Sequence, residues 1–403
     1  LKLSIIDACF PNGKSKGVAA RWLQWEIERR GFSVCDHSIA EIILVTCVDP
    51  RQWKTVSTIK RKYKRAKIIV GGAGALSPYV IGKYADAVCV GNGENFIDTL
   101  LVHGFEKTIS LSETWIDGSK VNVDVSAGFP WRCPPIQSED GSYKIWCGIG
   151  CKNKCMFCQT GWAVKYMENP STLSVLRNIK TLRTSGKKIS YMSNDTLQHT
   201  FRDNLPGVNA GSYSVKYMKR FGLPLARQVR IGVEGVSENL RKFIHKPIST
   251  DDLVRSAIWL NNNRKSVRWF LIAGLPGETK QDWDELKKAV QDWKKQCDKG
   301  VLALSFTAWQ PEPATPLCQC PVSDEYWQNW IDFKSWFFDG VGWSNRVKLM
   351  QPASPKSRNE SAVSRLGLTE RDIYSGGIES KNNTVRYPYT QKRDKIIKEN
   401  LGG

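Results

Sequence analysis

Four cysteines crowd into twelve residues: Cys147, Cys151, Cys155 and Cys158. The last three form Cys151-Lys-Asn-Lys-Cys155-Met-Phe-Cys158, a C-x3-C-x2-C spacing on one short loop. Three thiolates so placed can each take one iron of a [4Fe-4S] cluster, leaving the fourth iron without a protein ligand. An open position marks a catalytic centre and a closed one a structural centre. The bland alternative is a structural zinc site with Cys147 as the fourth ligand. The chain has twelve cysteines in all and opens on Leu1 without a charged-then-apolar signal pattern. A disulfide framework is therefore not expected, and a reducing, cytoplasmic setting is.

Such a loop needs a rigid frame, and the hydrophobic pattern supplies one. Leu3–Ile6, Ile42–Val48, Lys67–Val70 and Ala87–Val90 read as buried strands, separated by helical stretches such as Val18–Arg30 and the basic Arg51–Arg65. Apolar strands alternating with amphipathic helices predict a parallel sheet covered on both faces. Two of these strands end in glycine turns, Gly71-Gly72-Ala73-Gly74 and Gly91-Asn92-Gly93-Glu94. Strand C-termini are where such sheets bind ligands. From Tyr143 a second alternating series starts, with strands at Tyr143–Trp146, Ile189–Met192, Val229–Val233, Trp269–Ile272 and Ala303–Thr307. Repeated βα units of this length predict a full or partial (β/α) barrel. The expected division is an α/β domain over 1–104, a connector over 105–142, a barrel over 143–323 and a Trp- and Lys-rich extension over 324–403, with the last twenty residues solvated.

Composition narrows the class further. Among 403 residues, 41% are apolar and 24% charged, which supports a packed core and excludes wholesale disorder. No apolar run reaches the roughly 20 residues of a membrane-spanning helix, so no membrane association is expected. Lys and Arg number 59 against 39 Asp and Glu, a net charge of +20. That excess favours a polyanionic partner, nucleic acid above all, as readily as it describes a merely basic enzyme. Between Arg51 and Lys67 stand eight cations and no acid. Trp327, Trp330, Trp336 and Trp343 suit base stacking or core packing equally well.

The cysteine spacing, the aromatic Phe157 before the last cysteine and the preceding strand resemble the radical S-adenosylmethionine (radical SAM) superfamily. Gly232-Val-Glu234-Gly235 through Lys246 is similar to its "G-x-E-S-G" stretch, with Gly235 where Ser is usual. Gly274-Leu-Pro-Gly277-Glu278-Thr279 is similar to its "G-L-P-G-E-T" segment, and Pro311-Glu-Pro-Ala-Thr-Pro316 to "P-x-P-G-T-P", with Ala314 for Gly. The resemblance spans residues 143–320. It implies that Cys151, Cys155 and Cys158 ligate the cluster and that Cys147 is a bystander. It also implies that Phe157, Asn194, Asp195, Glu234 and Gly274 contact S-adenosylmethionine. The activity implied is reductive cleavage of that molecule to a 5′-deoxyadenosyl radical, with a flavodoxin- or ferredoxin-type electron donor as partner.

The first hundred residues add a second resemblance. Gly71-Gly72 and Ala85-Asp86-Ala-Val-Cys-Val-Gly91-Asn-Gly93-Glu94 are similar to the signature of the cobalamin-binding class, whose first domain is flavodoxin-like; only Asn92 departs. This resemblance implies cobalamin contacts at Gly71, Gly72, Gly91, Gly93 and Glu94 and methylation of an unactivated carbon; no Asp-x-His-x-x-Gly follows the first strand, so a histidine ligand to cobalt is not expected. Methylthiotransferases offer an alternative, inserting sulfur into RNA with a second cluster on three N-terminal cysteines. Cys9 and Cys47 stand at two of those places, but Gly71-Gly72-Ala73 occupies the third. Cys318 and Cys320 are further candidates for a second cluster. A nucleic-acid-binding protein retaining a structural cluster is the remaining alternative.

Overall fold

A computed structural model of the chain describes residues 1–11, 16–111, 113–116, 121–122, 133–139, 141–169, 171–192, 215, 223, 227–246, 248–341, 346–366, 374, 385–386 and 390–400. The buried apolar runs near the N-terminus form one sheet. Strands β1 (Leu3–Asp7), β2 (Ile42–Thr46), β3 (Lys67–Gly71) and β4 (Ala87–Cys89) are parallel and lie in that order. A short β5 (Thr114–Trp115) adds antiparallel to β4. Alternation along each strand divides its side chains between two cores, Ile43 and Val45 on one face, Ile42 and Leu44 on the other. The sheet is therefore buried on both sides, as its near-continuous apolar strands require.

One further strand is reduced to a single parallel bridge, Val34 to Leu3, on the free side of β1. With that bridge counted as the second strand, the spatial order becomes 2-1-3-4-5, the flavodoxin-like order, with its switch point between β1 and β2. The basic helix is shorter than its composition suggests. Asp49 caps a 3-10 turn at Pro50–Gln52, and the α-helix runs only over Trp53–Lys62.

The second half of the chain alternates as expected. After two short pieces, β6 (Val121–Asn122) and β7 (Ile136–Gln137), strand β8 (Tyr143–Trp146) leads into a hairpin of β9 (Gly148–Ile149) and β10 (Met167–Glu168). Strand β11 (Ile189–Met192) pairs parallel with β8. Then β12 (Gln228–Glu234), β13 (Ser266–Ala273), β14 (Leu302–Ala308) and β15 (Val347–Met350) form a four-stranded parallel sheet. The last of these comes from the Trp- and Lys-rich stretch. A two-residue β16 (Val385–Arg386) pairs with β6. Helices Thr250–Asn262 and Lys280–Gln296 cover one face of the β12–β15 sheet through Leu253, Leu260, Leu286 and Trp293.

One open alternative is resolved here and one expectation corrected. Trp330 takes the core-packing role: it is 2% exposed and packs among Phe306 and Phe333. Trp343 lies outside the described residues. The last twenty residues are not uniformly solvated, because Thr390–Asn400 is a helix with Ile397 buried. Its Arg393 donates to the Pro313 carbonyl at 3.0 Å, which ties the helix to the Pro311–Pro316 segment. Among the described residues, no helix is long and apolar enough to cross a membrane.

The aromatic layer under β14 makes a direct stability test. Trp283 is fully buried, stacked on Phe306 with centroids 5.4 Å apart and tilted against Phe333 at 5.5 Å. Trp283→Ala is expected to cost about 3–5 kcal/mol, read from the denaturant midpoint, and Trp283→Phe much less.

Candidate active site

The cysteine loop is held from three directions. At its base Gly150 has φ 65°, and a Cβ there would stand 2.7 Å from the Lys165 carbonyl, so the hairpin closes only around glycine. In its middle the Met156 N–H donates to Ile244 O at 3.1 Å, and Met156 O accepts from the Leu317 N–H at 3.3 Å. At its end Trp162 sits fully buried in the core of the first sheet and donates from Nε1 to Cys155 O at 2.8 Å. Phe157 packs, partly buried, against the core of the β12–β15 sheet.

Cys147 lies outside this arrangement. It is buried with Ile145, Val175 and Ile179 under helix Thr172–Thr184, away from the loop, as a small apolar residue would be. The Cys155 and Cys158 thiols lie within electrostatic reach of Cys151 and of the Glu234 carboxylate. Burial pushes the Cys155 thiol up to about 12, with Cys158, Glu234 and Cys151 adding to the shift and Lys246 opposing it. Burial likewise raises Cys158, against the N–H groups of Gly161 and Thr160. Among the described residues no three His, Cys, Asp or Glu side chains converge on one metal-ion position. A four-iron cube, by contrast, takes each thiolate on a different iron.

Glu234 ends β12 with φ 67° and pairs with Lys246 at 2.9 Å. A Cβ on Gly232 would come within 2.7 Å of the Lys246 ammonium, so this glycine lets the ion pair lie across the strand. Burial alone would lower the Lys246 pKa, but Glu234, Cys155 and Cys158 outweigh it and raise it. Gly274 has φ 83°, and its N–H donates to Glu278 Oε2 at 2.9 Å. Asn194 and Asp195 lie outside the described residues. Cys318 and Cys320 are buried, and Cys320 packs into the core of the β12–β15 sheet.

A cavity of about 560 Å³ lies along the C-terminal edge of the first sheet. Gly71, Gly72, Gly91, Gly93 and Glu94 all line it, and Trp146, Gly150, Thr160 and Met192 close it from the second half. Gly72 has φ 98°, and a Cβ there would stand 2.5 Å from Cys47 O. Four polar atoms around this cavity are buried without a hydrogen-bond partner: Trp22 Nε1, Thr46 Oγ1, Asn92 Nδ2 and Glu94 Oε2. Buried groups of this kind are costly unless a ligand or water satisfies them. Burial also pushes the Glu94 carboxyl up to about 7.

Sequence reasoning missed Trp22, Thr46 and the second-half wall. Thr46 carried a signal, being the one polar residue in the buried strand Ile-Ile-Leu-Val-Thr. Trp22 carried none, because a helix facing a sheet and a helix facing a cavity share one pattern. Cys9 and Cys47 follow the ends of β1 and β2 at the switch point, where Gln52 Nε2 donates to Cys9 Sγ at 3.0 Å. Burial pushes Cys47 up to about 12. Along the basic segment, Arg51 pairs with Asp49 and Lys60 with Asp86, while Lys54 and Lys62 lie over the Trp53 and Tyr63 rings.

No protein-family model matches the chain, and no curated protein matches it by sequence. Solved structures do match by fold. The radical SAM methyltransferase TsrM from Kitasatospora setae, with cobalamin and a [4Fe-4S] cluster bound, aligns with a TM-score of 0.57 at 14% identity, covering 96% of this chain and 90% of TsrM. TsrM with tryptophan and a SAM analogue aligns at 0.54 and 14% identity, over 78% of this chain and 74% of TsrM. The cobalamin-dependent radical SAM enzyme OxsB, with aqua-cobalamin and S-adenosylmethionine, aligns at 0.53 and 15% identity, over 75% of this chain and 52% of OxsB. Over most of its length the fold is therefore that of the cobalamin-dependent radical SAM enzymes. At these identities the likeness is one of fold.

The cavity carboxyl makes stability depend on pH. The folded pKa of Glu94, about 7, lies above the ordinary 4.5, so the native state holds this proton more tightly than the unfolded chain. Its contribution is full below about pH 4.5 and is lost as pH rises through about 7. In the cofactor-free protein, wild type should lose up to about 3 kcal/mol relative to Glu94→Gln across that window, read from denaturant midpoints at each pH. Parallel pH profiles for the two proteins would exclude a buried neutral Glu94.

Proposed function

We propose that the chain is a cobalamin-dependent radical SAM enzyme that methylates an unactivated carbon. The observation that carries this reading is a juxtaposition. A cavity lined by strand-end glycines and unpartnered buried polar atoms lies against the loop that presents three thiols. Glycine ends let a flat macrocycle approach the backbone closely, and its peripheral amides supply the hydrogen bonds that Trp22, Thr46, Asn92 and Glu94 lack. A protonated Glu94 donates one of these bonds, and the Thr46 hydroxyl can donate or accept.

When bound, the cluster supplies an electron to S-adenosylmethionine for radical generation, and cobalamin supplies the methyl group. The chain's own residues do the rest. Cys151, Cys155 and Cys158 lose their protons on binding iron, so cluster assembly releases acid and is favoured by rising pH. The Glu234–Lys246 pair keeps a fixed charge of each sign beside the thiols. Gly274, with its N–H held by Glu278, shapes the turn at the end of β13, where the resemblance puts a contact to S-adenosylmethionine. An acidic flavodoxin or ferredoxin as reductant belongs to the same reading.

Anaerobic purification with iron, sulfide and cobalamin supplied is expected to give about four irons and one cobalamin per chain. Cys155→Ala should lose the iron and abolish release of 5′-deoxyadenosine. Gly72→Val should lose cobalamin but keep the iron. About eight irons without cobalamin would overturn the proposal in favour of sulfur insertion.

A further inference from the structure

Strand alternation divides the β12–β15 sheet into a helix-covered face and a concave face. Val229, Ile231, Val267, Trp269, Leu302, Leu304 and Val347 belong to the core under the helices. Their neighbours Arg230, Arg268, Ala303 and Lys348 therefore point to the opposite side. The register puts these four side by side: Arg230 opposite Arg268, Arg268 opposite Ala303, Ala303 opposite Lys348. Adjacent strands are about 5 Å apart, so three cations occupy one line across the sheet.

No hydrogen bond, ion pair or ring contact is made by any of the three among the described residues, and the Arg268 Nε is buried without an acceptor. Like charges at this spacing repel, and an unsatisfied buried donor adds to the cost. Ala303, the one small residue of the row, stands between Arg268 and Lys348. The row lies about 7 Å along the strands from Gly232, over which the Glu234–Lys246 pair lies beside the cluster thiols.

We propose that Arg230, Arg268 and Lys348 form an oxyanion site on the concave face of the β12–β15 sheet, which holds a phosphate or carboxylate of the substrate. A guanidinium fork matches the paired oxygens of either group, and Lys348 adds a point charge from the other side of Ala303. The anchor sits towards the strand N-termini from the thiols, so the substrate is held by its anionic end with its remainder directed at the reacting end. The site as an anion site rests on the geometry alone; its naming as a substrate site rests on the radical SAM reading.

The test is isothermal titration of the anaerobically reconstituted protein, at low ionic strength, with inorganic phosphate and separately with succinate. One-site binding of either is expected, the tighter one identifying the anchoring group. Arg268→Gln and Lys348→Gln should each weaken it at least tenfold, and Arg268→Lys less. Arg61→Gln, on the exposed basic helix, should leave binding unchanged. Binding of neither anion overturns the proposal, as does binding that survives both row variants or that Arg61→Gln weakens equally. Release of 5′-deoxyadenosine by the same preparations is read without added anion. Cleavage without anion binding sinks this site alone, whereas anion binding without cleavage sinks the radical reading and leaves the anion site standing.

Discussion

One short loop joins the two halves of the molecule, and its fixation conditions everything around it. Trp162 and Ala163 belong to the core of the first sheet, while Met156, a few residues earlier, is bonded through its backbone to Ile244 and Leu317 of the second half. Burying an indole of this size contributes several kcal/mol, and its N–H, satisfied by Cys155 O, carries no desolvation penalty. Cys158 lies between these anchors, and Cys155 directly precedes the first of them. Moving one half against the other would therefore distort the thiol spacing, and Gln159 to Ser77 at 3.2 Å adds a polar contact between the halves.

The electrostatics of this junction follow from burial. Burial makes the thiols at Cys155 and Cys158 resist ionisation, and it does the same to the Glu94 carboxyl that lines the cavity. Removal from water disfavours the charged form of each acid. Positive charge gathers beside the thiols: Lys246 with Glu234, and Lys154, which burial and the approach of Lys392 bring down to about 8 against the pull of Cys151. The C-terminal helix that carries Lys392 is pinned by Arg393 and Ile397, so part of the tail contributes to the rim of the site.

Glycines mark where the backbone itself does the shaping. Gly72 brings the end of β3 against the Cys47 carbonyl, and Gly150 closes the hairpin at the base of the loop. Each has a positive φ that a side chain would strain. On the opposite face, Gly232 acts by omission, leaving room for the Glu234–Lys246 ion pair.

Local patterns were enough for the elements. The strand Tyr143–Trp146, the strand Ile189–Met192 and the helix Thr172–Thr184 were readable to the residue, because apolar periodicity and caps are short-range signals. The thiol spacing was readable for the same reason, since three ligands on one loop need no long-range information. The strand reduced to the Val34 bridge was not, because a single bridged residue has no period. Nor were Trp22 and Met192 as walls of one cavity, or Arg230, Arg268 and Lys348 as one row: they meet only after sheet register and the docking of the two halves are set. Periodicity states which side of an element is buried; only packing decides what is buried against it, and that is where the cavity and the cationic row arise.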